Sequence, residues 1–190
     1  MQNSFRIISG DFRGRKFSFP EVEGLRPTSG KIRETLFSWL QFDIVNKTTL
    51  DPFAGSGALS IEAISRGAKE VYVIEKDRKV YEKLKSNFKL LDRGHYTIIN
   101  EDAMIHLAKP SKRFFDLVFL DPPFTKNLLV ETIEKLSNNH YINSQSQIYI
   151  ESEYKITEDN LSSLTNNHFI IKKQKKSGNV HYCLISLGVL

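Results

Sequence analysis

The sequence predicts an α/β fold: a mostly parallel, seven-stranded sheet with an antiparallel terminal hairpin, preceded by a small N-terminal β-hairpin and helix. Three observations predict it. From Thr48 to Glu151, short apolar runs alternate with helix-periodic segments, the pattern of a parallel sheet with helices on both faces. The first of these runs ends in the glycine-rich turn Gly55-Ser56-Gly57, the usual junction between a strand and the helix that follows it. The chain closes on two strand-like runs flanking Ser177-Gly178-Asn179, a hairpin signal.

Each element has a local reason. Phe5 to Phe19 reads as two short strands around a glycine-containing turn. Thr28 or Ser29 caps a helix in which Ile32, Leu36, Trp39 and Leu40 recur at helical spacing, so Phe37 and Trp39 are expected in the core. Thr48–Asp51 is the first strand of the main sheet, and Ala58–Arg66 is a helix closed by Gly67. Glu70–Glu75 is a strand, and Asp77 caps a helix reaching about Leu91. Tyr96–Asn100 is a strand, followed by a short helix near Ala103. Phe115–Leu120 is the most apolar strand, Lys126–Leu136 a helix and Gln147–Glu151 a strand. A weaker helix at Glu158–Leu164 precedes the final strands, Phe169–Lys175 and Val180–Leu187. Residues 1–45 are expected to be a hairpin and helix appended to the sheet domain at residues 46–190.

Composition narrows the function classes. The 190 residues are 40% hydrophobic and 26% charged, enough for one soluble domain with its own core. No apolar run has the length of a membrane span, and the first residues lack the apolar stretch of a signal peptide. The single cysteine, Cys183, forms no internal disulfide and is expected as a buried filler, so the expected compartment is the cytoplasm. His95, His106, His140, His168 and His181 show no metal-ligand spacing, and no metal is expected. Lysine and arginine outnumber aspartate and glutamate 27 to 22, a net charge of +5 that favours an acidic partner such as nucleic acid.

Two constellations carry chemistry, both at strand ends, where open α/β sheets bind ligands. In Asp51-Pro52-Phe53-Ala54-Gly55-Ser56-Gly57, glycines admit a ligand close to the backbone and a helix N-terminus follows. Glu75, twenty positions after Gly55, suits a ribose diol, and Asp102 suits an adenine amino group. Asp51 would repel a pyrophosphate but attract a cationic amino group, which favours S-adenosylmethionine over a nicotinamide dinucleotide. The expected cofactor-binding set is Asp51, Phe53, Ala54, Gly55, Ser56, Gly57, Glu75, Lys76, Asp102 and Ala103. The second constellation is Asp121-Pro122-Pro123-Phe124. Its prolines fix the backbone and leave carbonyls as acceptors beside the Asp121 carboxylate, while Phe124 offers a stacking face. That arrangement suits a planar base with an exocyclic amine, and all four residues are expected to be catalytic.

With these residues in view, the chain resembles Rossmann-like S-adenosylmethionine-dependent methyltransferases that modify exocyclic nitrogens. More narrowly it resembles the bacterial 16S rRNA guanine-N2 methyltransferases acting on the guanine conventionally numbered 966. The likeness is carried by Arg6-Ile7-Ile8-Ser9-Gly10, Arg13-Gly14-Arg15-Lys16, Leu25-Arg26-Pro27-Thr28, Arg33-Glu34-Thr35-Leu36-Phe37, the stretch from Asp51 to Ala68, and Asp121-Pro122-Pro123-Phe124. Ser9 and Ser60 stand where glycines are expected, and Ser29-Gly30 replaces a Thr-Asp pair. The resemblance implies an enzyme that methylates a small-subunit rRNA base, within an assembled or nearly assembled particle; a monomer is expected because nothing in the sequence marks an interface.

Arg6, Arg13, Arg15, Lys16, Arg26, Lys31 and Arg33 are expected to form a phosphate-binding edge around the active site, though Arg33 also suits a carboxylate near the cofactor. Lys172, Lys173, Lys175 and Lys176 read as a guard on an edge strand. Two other functions fit the motifs. One is a DNA adenine-N6 or cytosine-N4 methyltransferase, for which about 45 residues outside the sheet domain leave little target-recognition region. The other is a non-catalytic adenosine-binding module.

Overall fold

The computed structural model describes residues 3–25, 27–123, 128–165 and 168–188. The chain forms two compact units, Met1–Ala103 and Met104–Leu190.

In the first unit, β1 (Ser4–Arg6) pairs antiparallel with β2 (Lys16–Ser18), setting Phe5 opposite Phe17. The two rings stack with centroids 5.9 Å apart, and both are buried. Helix α1 (Gly30–Trp39) begins where the Ser29 hydroxyl accepts from the Ile32 amide. It buries Ile32, Leu36 and Phe37, with Leu40 just beyond its end, while Trp39 is only half-buried at the edge of the apolar face. Strands β3 (Thr48–Asp51), β4 (Glu70–Ile74) and β5 (His95–Ile99) are parallel neighbours. Helix α2 (Ala58–Ser65) connects β3 to β4, and all eight of its residues are buried. Helix α3 (Arg78–Phe88) connects β4 to β5, and the Asp77 carboxylate caps it by accepting from the Lys79 and Val80 amides.

Helix α4 (Ala103–Leu107) leads into the second unit. There β6 (Leu117–Leu120) runs parallel to β7 (Gln147–Ser152). Strand β9 (Val180–Leu187) lies antiparallel between β7 and β8 (Phe169–Ser177), with an irregularity between Ile171 and Lys173. Helices α5 (Leu128–Asn138) and α6 (Glu158–Thr165) complete the unit. The sheet has seven strands in the order β5-β4-β3-β6-β7-β9-β8, a Rossmann-like α/β fold as the alternating pattern predicts.

Element boundaries differ from expectation where a bond leaves the regular ladder. Strand β6 starts two residues inside its apolar run because the Phe115 amide donates to the Tyr141 carbonyl, 2.8 Å away. Phe115 stacks on Tyr141 there and joins the core outside the strand. Helix α5 continues two residues past the expected end at Leu136. No helix among the described residues is long and apolar enough to cross a membrane.

Candidate active site

Asp51 ends β3 as a buried residue, and the turn after it is built by glycine geometry. Gly55 and Gly57 have φ of 51° and 76°, the left-handed region that side chains other than glycine rarely adopt. At Gly57 a Cβ would also come within 2.5 Å of the Leu84 side chain, so glycine lets α2 start against α3. The Ala54 amide donates to the Ile74 carbonyl, 3.2 Å away, tying the turn to the end of β4. Ser56 and Ala54 are buried in the turn, and Phe53 is half-buried.

Glu75 follows β4 and is fixed by the backbone. One carboxylate oxygen accepts from the Gly55 amide at 2.9 Å and the other from the Asp77 amide at 2.7 Å. Burial raises its pKa, and the two amides pull the other way. Each oxygen keeps further lone-pair capacity for a hydroxyl donor. Asn100, absent from the sequence-based set, donates to the carbonyls of Glu75 (2.8 Å) and Lys76 (3.1 Å) and pins this loop to the end of β5. Lys76 itself is exposed, Asp102 is half-buried just before α4, and Ala103 is buried.

Ser60 also lies outside that set. Its hydroxyl donates to the Asp51 carboxylate over 2.6 Å, with both residues buried. The serine that stands in place of an expected glycine therefore orients the carboxylate at the mouth of the turn. Nine positions separate the two residues, and one turn of chain returns α2 beneath β3.

In the second unit, β6 is buried along its whole length and hands over to Asp121 (half-buried), Pro122 (buried) and Pro123 (exposed). Phe124 lies outside the described residues. Tyr149, on the neighbouring β7, is buried and donates to Glu151 over 2.9 Å. Its pKa is raised well above the usual phenol value, first by burial and then by the charges of Glu151 and Asp121.

The expected phosphate-binding residues divide. Arg6, Arg13, Arg15, Lys16 and Lys31 are exposed, and Arg26 lies outside the described residues. Arg33 is a correction: it is buried and pairs with the equally buried Glu62 at 3.3 Å, so it is not placed to meet an RNA phosphate. Its guanidinium also donates to the carbonyls of Thr28 and Arg6 and lies over the Phe5 ring. Burial lowers its pKa against the opposing attraction of Glu62, which leaves it charged at any physiological pH. Glu62 further accepts from the amides of Ile8 (2.9 Å) and Ser9 (3.0 Å) and from Arg66 (2.8 Å). The N-terminal hairpin and α1 are thus clamped to α2 by one carboxylate.

A family model described as "Conserved hypothetical protein 95" matches residues 5–186. "Ribosomal RNA small subunit methyltransferase D" of Escherichia coli K12 is 43% identical over 179 residues, covering 94% of this chain and 88% of the relative. The chain belongs to this family. The Haemophilus influenzae member of the same name is 40% identical over 182 residues, covering 94% of this chain and 92% of its own length. Among solved structures, "Putative methyltransferase yhhF from Escherichia coli" superposes with a TM-score of 0.84 at 41% identity, covering 99% of this chain and 100% of that one. Residues 5–186, matched by the family model, include both the Gly55–Gly57 turn and the Asp121-Pro122-Pro123 segment.

Proposed function

We propose that the chain transfers the methyl group of S-adenosylmethionine to the exocyclic N2 of a guanine in 16S rRNA, within the small ribosomal subunit or a late assembly intermediate. The observation that carries the reading is the exit of β6. A fully buried strand ends in a carboxylate followed by two prolines, so acceptors for an amine stand on rigid backbone. The names of the relatives, which specify ribosomal RNA of the small subunit, favour that substrate over DNA.

The residues at the other strand ends fit the cofactor by their chemistry. Asp51 offers a buried carboxylate to an ammonium group, and Glu75 a fixed carboxylate to a ribose diol. Gly55 and Gly57 supply the left-handed backbone of the turn, Asn100 holds the Glu75–Lys76 loop, and Asp102 accepts from an adenine amine. S-adenosylmethionine, when bound, supplies an electrophilic methyl, so the acceptor nitrogen needs orientation more than deprotonation.

Asp121 and the Pro122 carbonyl accept the two N–H bonds of the guanine amine. This turns the nitrogen lone pair out of conjugation and towards the methyl group. Orientation of this kind is worth up to about 7–11 kcal/mol of the barrier. The excess proton leaves to Asp121 or to water after transfer. The base must leave its stack to reach these acceptors, and Phe124 supplies the surface it stacks on. In this reading residues 1–45 form the RNA-facing appendage, residues 46–190 carry the chemistry, and the chain works as a monomer in the cytoplasm.

The test is transfer of labelled methyl from S-adenosylmethionine to small ribosomal subunits, naked 16S rRNA and DNA side by side. The reading expects label in the rRNA at guanine N2. Label in DNA alone would replace it with the DNA-methyltransferase reading. No transfer to any substrate, with the cofactor still bound, would leave a binding module.

A further inference from the structure

The tip of the N-terminal hairpin is fastened away from the Glu75 end of the cofactor turn. Helices α2 and α3 both start beside that turn, at Gly57 and Asp77, and run back along the sheet. The tip is fastened at their far ends. The Asp11 amide donates to the Ser65 carbonyl (2.8 Å) and the Phe12 amide to the Ser65 hydroxyl (3.0 Å). Gly10 permits this approach, since a Cβ there would overlap the Ser65 carbonyl oxygen at 1.8 Å. Arg15 donates to the Leu90 carbonyl just past α3, 2.8 Å away. Eleven residues of α3 at 1.5 Å each place this end about 16 Å along the helix from Asp77, while Leu84 and Phe88 of its later turns lie beside Gly57.

Here the loop between α3 and β5 meets the hairpin tip. Together they line a shallow depression of about 450 Å³ with Asp11, Phe12, Arg13, Arg15, Asp92 and Arg93. The Arg15 guanidinium rests over the Phe12 ring, 5.1 Å from its centroid, and is held by Leu90, so its geometry is set in advance. Arg93 pairs with Asp11, and the side chains keep 64% and 47% of their exposure. Three guanidiniums against the two carboxylates of Asp11 and Asp92 leave the depression net cationic, and the guanidinium forks match phosphate oxygens.

We infer that this depression is a remote anchor for the phosphodiester backbone of the RNA substrate, and that Arg93, outside the hairpin, is one of its contacts. The inference rests on the rRNA reading above. RNA phosphate replaces Asp11 as the partner of Arg93, so Asp11 competes with the substrate. The anchor serves an RNA long enough to span the length of α3, and a target stem-loop too short for that does not use it.

The experiment measures binding and methylation of reconstituted small subunits across a salt series, for wild type, Arg13→Gln/Arg93→Gln and Asp11→Asn. Thermal melting and cofactor affinity serve as folding controls. The double variant should raise KM for the particle about tenfold and flatten the log–log salt slope by roughly 0.7–0.9 per lost phosphate contact. Asp11→Asn should shift KM the opposite way. An unchanged KM and salt slope in the double variant, with wild type active on the particle, overturns the anchor and leaves the rRNA reading standing. A wild type that does not methylate rRNA overturns both.

Discussion

Glu62→Gln tests how the N-terminal hairpin is held. The substitution keeps the side-chain shape and removes the charge. In the native chain that carboxylate accepts from two backbone amides, Arg33 and Arg66, at 2.8–3.3 Å. Breaking one partner of a buried ion pair typically costs about 3–5 kcal/mol, because the other charge stays buried. Arg33 keeps two carbonyl acceptors, Thr28 and Arg6, so the loss should lie near the lower end, about 3 kcal/mol. The glutamine amide also turns a donor toward amides that need an acceptor, which works in the same direction. Urea unfolding measures the total, and a cycle with Arg33→Met isolates the pair, with an expected coupling of about 1–3 kcal/mol. Hydrogen exchange at the Ile8 and Ser9 amides gives a local readout and should accelerate in Glu62→Gln before global unfolding. A loss below about 1 kcal/mol, with exchange at those amides unchanged, would refute the clamp.

Three further outcomes follow from the site. Ser60→Ala removes the hydroxyl that orients Asp51, so affinity for S-adenosylmethionine should fall at least about tenfold, the lower end of what one charge-assisted hydrogen bond is worth. Affinity for methylthioadenosine, which lacks the amino-acid end, should hold in the same titration, and equal losses would deny Asp51 its role. Burial raises the pKa of Glu75, so the carboxylate proposed to hold the ribose takes up its proton at a higher pH than an ordinary glutamate, and affinity should weaken as pH falls through that point. The stability of the ligand-free chain carries the opposite sign: the Glu75 contribution is present below the unfolded pKa and lost as pH rises through the folded one. Calorimetric titration and melting across pH 4–7 (an approximate window,) would expose a reversed trend. Burial pushes the Cys183 thiol up to about 12, so a thiol reagent should leave it untouched in the folded chain and label it only in denaturant.

The sequence makes the scaffold readable because the signals are local. Ser29 and Asp77 cap helices within three residues of themselves, and alternating apolar runs mark each strand of the sheet. The glycine turn and the carboxylate twenty positions on are likewise a short-range pattern that folding closes with one bond, Gly55 to Glu75. Glu62 and Arg33 are different. Glu62 meets Arg33, Ser9 and Ile8 across 29 to 54 residues, and α2 is buried on every side, so no polar face marks Glu62 as special. Arg33 belongs by composition to a basic surface segment and is withdrawn from it only by tertiary contact. Arg93 joins the hairpin tip through an interaction 82 residues apart, and no spacing rule reaches that far. Strand ends shift by a residue or two because pairing, not apolarity, sets them, as Phe115 shows.

The most direct test of the account is nucleoside mass spectrometry of small-subunit rRNA from cells that carry either the native chain or Asp121→Ala as their sole copy. The account predicts N2-methylguanosine at one position with the native chain and its loss with the variant, while the purified variant still binds S-adenosylmethionine. Full N2-methylation in the variant would contradict it.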